Sequence, residues 1–196
     1  FEVASSQFGG HALFIAPGDS QLSRGEPLSD TARIISSMAD LIVMRTSAHD
    51  RVMTMAASSQ VPVINAMSDD FHPCQLLADV LTFIEKKGQI QDAKVAWIGD
   101  GNNVCHSWIH AAHQFGFDLQ LACPPGYHPD KVVLNAANGK ARIATSPQAA
   151  ISGCDLVVTD TWFSIGREAE KEERLKAFAG YCVTDELLQT AQPDAL

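Results

Sequence analysis

Residues 94–103 read Lys-Val-Ala-Trp-Ile-Gly-Asp-Gly-Asn-Asn. Four apolar residues lead into a turn with two glycines, and the turn leads into a stretch, 103–115, with helical spacing of its apolar residues. A short continuous apolar run marks a strand covered on both faces, and a strand feeding a helix through such a turn is half of a βαβ unit. The alternation extends both ways. Strands are expected at 12–16, 41–45, 61–65, 94–99, 119–123, 142–145 and 156–160, all rich in Val, Ile and Leu or other apolar residues. Helices are expected at 1–8, 30–38, 73–87, 103–115, 129–137, 147–151 and 167–178. The pattern predicts an α/β protein with two doubly wound parallel-sheet domains and right-handed crossovers. One domain would cover 1–70 and the other 89–196, with a long interdomain helix in 71–88 that ends at Gly88. Ligands in such folds bind beyond the carboxyl ends of strands, so polar residues stationed there are the site candidates.

The turn itself, Gly99-Asp100-Gly101-Asn102-Asn103, is like the start of a dinucleotide-binding G-x-G-x-x-G, but Val104 stands where the third glycine belongs. The next strand runs into Leu-Ala-Cys-Pro-Pro, without an acidic partner for a ribose. Asn102 reads equally well as a helix cap. Asn103 carries an amide that both donates and accepts, which suits a zwitterionic amino acid.

Upstream, residues 70–79 read Asp-Phe-His-Pro-Cys-Gln-Leu-Leu-Ala-Asp. Pro73 fits the first position of a helix, where a missing N–H costs nothing. His72 and Gln75 would then stand as side-chain donors at a helix N-terminus, an environment that favours anions and growing negative charge. The ordinary alternative is that His72 only caps or packs.

Arg45 follows an apolar run at the carboxyl end of a strand, and its forked donors suit phosphate or a carbonyl oxygen. After the strand 156–160 come Asp160, Thr161, Trp162, Phe163, Ser164, Ile165, Gly166 and Arg167. Asp160 could pair with an ammonium group, and Ser164 with the neighbouring backbone could hold the rest of an amino acid. Trp162 and Phe163 are expected to pack. Residues 17–30, with Gln21, Arg24 and Glu26, read as a polar surface loop of the functional kind or as a solvated linker. His106, His110 and His113 share helical spacing, but no partners complete a metal site, so packing or surface roles are expected.

The 196 residues are 46% hydrophobic with a formal net charge of -9. No basic run invites nucleic acid or an anionic membrane, and no apolar run has the length of a membrane span. The five cysteines are scattered and never in C-x-x-C spacing, which argues against zinc and disulfide frameworks and for a reducing, cytoplasmic setting. The chain opens with Phe1 and trails off after Thr190, so a segment of a longer protein is expected.

Taken in order, Ser29-Asp30-Thr31-Ala32-Arg33, Phe-His-Pro-Cys-Gln-Leu-Leu-Ala-Asp, Gly-Asp-Gly-Asn-Asn followed by His106-Ser107, and Asp-Thr-Trp-Phe-Ser-Ile-Gly-Arg-Glu resemble the ornithine carbamoyltransferases over essentially the whole chain. The resemblance implies an N-terminal carbamoyl-phosphate domain and a C-terminal ornithine domain. It implies transfer of a carbamoyl group to the δ-amine of L-ornithine, giving L-citrulline and phosphate, in arginine metabolism, with arginine biosynthesis and breakdown both open. It implies no cofactor and no metal, and a homo-oligomer of trimers or their multiples. By position, Arg45, His72 and Gln75 would contact carbamoyl phosphate and carry catalysis. Asn103, Asp160, Ser164 and the backbone of Ile165 would hold ornithine. Gln21 would reach a neighbouring subunit's carbamoyl phosphate. The family's Ser-Thr-Arg-Thr-Arg and His-Cys-Leu-Pro motifs would belong before Phe1 and after Leu196, so the segment alone is expected to be inactive. Ile165 stands where methionine is usual, a mild change.

Three other readings stay open from the sequence. One is a transcarbamylase for N-acetylornithine, putrescine or aspartate, the last of which would want cationic residues where Asp160 stands. Another is a nucleotide-dependent oxidoreductase built on 99–103. The third is a non-catalytic module that binds amino acids or assembles with a complete subunit.

Overall fold

The computed structural model describes residues 1–16, 18–19, 25–162 and 170–196. These form two compact units, 1–69 and 70–196.

In the first unit β1 (Ile42–Arg45) and β2 (Val63–Met67) pair in parallel, Ile42 opposite Val63, with an irregularity between Met44 and Arg45. The same unit holds α1 (Glu2–Gln7), α2 (Leu28–Ser36) and α3 (His49–Ser58). Ala32, Ile42 and Met55 make a small core, one residue each from α2, β1 and α3. The expected strand at 12–16 is absent. Leu13 and Phe14 are 81% and 82% exposed, and the segment joins no ladder among the described residues. An apolar run becomes a strand only where a neighbour takes up its backbone groups. Helix α3 was not expected, because only Val52 and Met55 of its ten residues are buried and its apolar period is faint.

The second unit holds a fully parallel sheet in the order β5-β4-β3-β6. Its strands are β3 (Lys94–Ile98), β4 (Asp118–Ala122), β5 (Ala141–Ile143) and β6 (Leu156–Thr159). Its helices are α4 (Pro73–Lys87), α5 (Asn103–Phe115), α6 (Lys131–Ala136), α7 (Pro147–Ile151), α8 (Lys171–Ala177) and α9 (Asp185–Leu188). Strand β3 explains its own sequence. Val95 and Trp97 pack with Trp108, Ile109 and Phe117 on one face, while Ala96 and Ile98 pack with Ala150, Ile151 and Leu187 on the other. All four strand residues are fully buried, each larger one contributing about 1.5–3 kcal/mol, so no polar alternation survives. Leu76, Val80 and Phe83 carry α4 into this same core.

The strand order sets the site. From β3 the chain winds through β4 to β5, then returns to place β6 on the other side of β3. The chain direction therefore reverses beside β3, and in such sheets the carboxyl ends of the strands at that switch point, here β3 and β6, are where ligands bind.

Candidate active site

The carboxyl end of β3 delivers Asn102 and the carboxyl end of β6 delivers Asp160. The two meet, with Asn102 Nδ2 donating to Asp160 Oδ2 at 2.9 Å. Asn102 is also the N-cap of α5, its Oδ1 accepting from the backbone N–H groups of Val104 and Cys105 at 3.0 Å each. One amide thus closes the helix and orients the carboxylate, so the cap and the site are the same residue. Asn103, the first helical residue, follows directly and is half-buried.

Helix α4 starts as Pro73 predicts, with His72 at the N-cap. The imidazole makes no cap hydrogen bond. Its Nδ1 is buried and finds no partner among the described residues. A buried polar atom without a partner is costly, which makes it a marker for a ligand. The His72 side chain therefore does not close the helix by a hydrogen bond of its own. One turn on, Gln75 Nε2 donates to Asp79 Oδ1 at 2.8 Å, fixing which way the amide faces. Burial is the main cause that raises the Asp79 carboxyl above its ordinary value, with Gln75 and His72 opposing and Asp160 adding to the rise. Asp79 thus feels the charges of both His72 and Asp160.

Arg174 on α8 braces this place. It is 7% exposed and donates to Asp100 Oδ2 at 2.6 Å, to Glu170 Oε2 at 2.9 Å and to the Trp162 carbonyl at 2.7 Å. Its guanidinium also lies over the Tyr127 ring at 4.9 Å. Burial opposes its charge, but Asp100 and Glu170 outweigh that and raise its pKa. Trp162 packs as expected, stacked on Phe178 at 5.6 Å. Sequence reading missed Arg174 and Asp79, since each has an unremarkable place on a charged or amphipathic helix.

Gly101 speaks to the dinucleotide alternative. A Cβ there would stand 2.2 Å from the backbone N of Pro129 and 2.5 Å from the carbonyl carbon of His128. Its N–H donates to the Tyr127 carbonyl at 2.8 Å. The glycine admits the chain's own backbone, where a dinucleotide site would leave that approach to a pyrophosphate.

Two family models match the chain, and they divide it within or just after α4 rather than before it. Residues 1–85 match the family described as aspartate/ornithine carbamoyltransferase, carbamoyl-P binding domain, and residues 91–196 match its Asp/Orn binding domain. The chain belongs to the aspartate/ornithine carbamoyltransferase family. The ornithine carbamoyltransferases of Chromohalobacter salexigens and Nitrosococcus oceani are 52% and 53% identical to it across all 196 residues. The chain spans 64% of the length of each. Among solved structures, the ornithine carbamoyltransferase of Pyrococcus furiosus is 43% identical with a TM-score of 0.91, the match covering the whole chain and 64% of that protein.

Against the aspartate/ornithine carbamoyltransferase pattern, the second unit gathers His72, Gln75, Asn103 and Asp160 at strand ends and helix starts. Arg45 ends β1 in the first unit, is exposed, and forms no ion pair among the described residues. Gln21, Ser164 and Ile165 lie outside the described residues. No group of three or more His, Cys, Asp or Glu among the described residues is placed to hold a metal, and no described helix is long and apolar enough to cross a membrane.

Proposed function

We propose that this chain carries the substrate sites for carbamoyl transfer from carbamoyl phosphate to the δ-amine of L-ornithine, giving L-citrulline and phosphate. The observation that carries the reading is the unpartnered, buried Nδ1 of His72 at the start of α4, beside the Asn102–Asp160 pair. Relatives named ornithine carbamoyltransferase at about half identity over the whole chain support it.

The chemistry follows from the groups. The neutral δ-amine attacks the carbamoyl carbon, negative charge grows on the carbonyl oxygen, and the bond to phosphate breaks. His72 and Gln75 donate toward that oxygen, aided by the positive end of α4. Gln75 uses one amide hydrogen on Asp79 and keeps the other. Arg45 takes phosphate or carbonyl oxygen with its fork. Asp160 has one oxygen engaged by Asn102 and offers the other to the ammonium of ornithine. Asn103, Ser164 and the backbone of Ile165 complete the amino-acid site, and Gln21 serves a neighbouring subunit. Holding both substrates in register supplies much of the acceleration. The same reading includes a homotrimer or a multiple of it, no cofactor, and a cytoplasmic setting within arginine metabolism.

Asp160 favours an acceptor with a free second ammonium. Aspartate would bring a carboxylate toward it and N-acetylornithine lacks the charged α-amine, while putrescine keeps an ammonium and is told from ornithine by the missing α-carboxylate, which Asn103 and the loop around Ser164 would otherwise hold. Initial rates with all four amines, in the natural protein containing these residues, test the reading. It predicts ornithine as the preferred acceptor; faster turnover of any other amine would overturn it.

A further inference from the structure

Helix α5 holds the three residues ahead of Pro73 one after another. His106 Nδ1 lies 3.0 Å from the Asp70 carbonyl, and His106 Nε2 accepts the Asp130 N–H at 3.1 Å. A carbonyl only accepts and a backbone N–H only donates, so the neutral ring carries its proton on Nδ1. The Phe71 ring stacks on His110 at 4.9 Å. The His72 N–H donates to Ser107 Oγ at 2.7 Å. Ser107 is 3% exposed, and its hydroxyl proton goes to the Asn103 carbonyl at 3.0 Å. A single buried hydroxyl therefore links the backbone of His72 to the backbone of Asn103. These belong to the carbamoyl and ornithine ends of the proposed site.

We propose that Ser107 is a positioning residue for carbamoyl transfer, setting His72 against the substrate held beside Asn103. The inference rests on the proposed function. His72 sits at φ -130° and ψ 64°, outside the helix, and its imidazole makes no cap bond that would fix it. Its own N–H is the nearest point at which the fold can hold it, and Ser107 takes that point. Residues 106, 107 and 110 lie within little more than one turn of α5, so the helix that presents Asn103 also aims His72.

A double-mutant cycle on the natural protein tests this, with citrulline formation and thermal unfolding followed for Ser107→Ala, His72→Ala and both together. Ser107→Ala is expected to lower kcat about 10-fold, as a small misplacement of a donor does, with the KM for ornithine changed less than kcat. His72→Ala is expected to lower kcat about 10²-fold or more, and the double variant to match His72→Ala alone. Ser107→Cys keeps the shape with a weaker acceptor, and its kcat should fall between wild type and Ser107→Ala. It also carries the test if the alanine variant does not fold. Losses that multiply in the double variant, or a lowered Tm with unchanged kcat, would overturn the positioning role alone. Absence of carbamoyl transfer in the unsubstituted protein would overturn the proposed function and this inference together.

Discussion

Asn102 Nδ2 donates to Asp160 Oδ2 at 2.9 Å, while Asn102 Oδ1 caps α5. The amide joins the ends of two strands that flank the switch point of the sheet. Asn102→Asp would keep a good N-cap and set a second carboxylate against Asp160. The KM for ornithine should rise about 10-fold, the worth of one hydrogen bond to a charged group, with the KM for carbamoyl phosphate little changed. Steady-state kinetics with each substrate varied in turn checks this. An unaltered ornithine KM would detach the pair from the amino-acid site.

Arg174 neutralises Asp100, whose side chain is 16% exposed. Arg174→Met should cost roughly 3–5 kcal/mol in urea unfolding, because Asp100 would stay buried without its partner. Arg174→Lys should recover only part, since an ammonium has no fork to reach two carboxylates and the Trp162 carbonyl together. A loss under 1 kcal/mol for the methionine variant would show that Asp100 finds water instead.

Gly101→Ala should be among the most damaging single-methyl changes in the molecule. The new carbon would meet backbone atoms of His128 and Pro129, which cannot rotate away. A cost of about 3 kcal/mol or more is expected in equilibrium unfolding. Near-wild-type stability would mean that the loop 128–129 shifts freely.

Asp79 gives a signed pH dependence. Its folded pKa is raised above the ordinary 3.8, so the fold favours its neutral form. Its contribution is complete below 3.8 and is lost as pH rises through the raised value. The stability of wild type relative to Asp79→Asn should therefore fall as pH climbs from below 3.8 toward neutrality. Urea unfolding of both proteins across that range checks the sign. A difference that grows with pH would contradict it.

The elements legible in the sequence were those that carry their own punctuation. Pro73 and Gly88 bracket α4, Asn102 and Gly116 bracket α5, and Ser146 with Pro147 opens α7. His72, Gln75, Asn103 and Asp160 could be named because they stand just after strands or at helix starts. The segment 12–16 misled because apolar content alone does not supply a ladder partner. Helix α3 hid because it buries little. Arg174 sits in a Glu-Glu-Arg-Leu-Lys run that reads as a solvated face, and its meaning comes from Asp100, 74 residues away. Ser107 likewise takes its role from His72, 35 residues away.

In the proposed reaction His72 is aimed at a substrate. Citrulline formation from carbamoyl phosphate and ornithine by the natural protein, beside its His72→Ala variant, tests it most directly. Robust turnover is expected, falling about 10²–10³-fold in a variant of unchanged thermal stability. Equal turnover in the two proteins would contradict it.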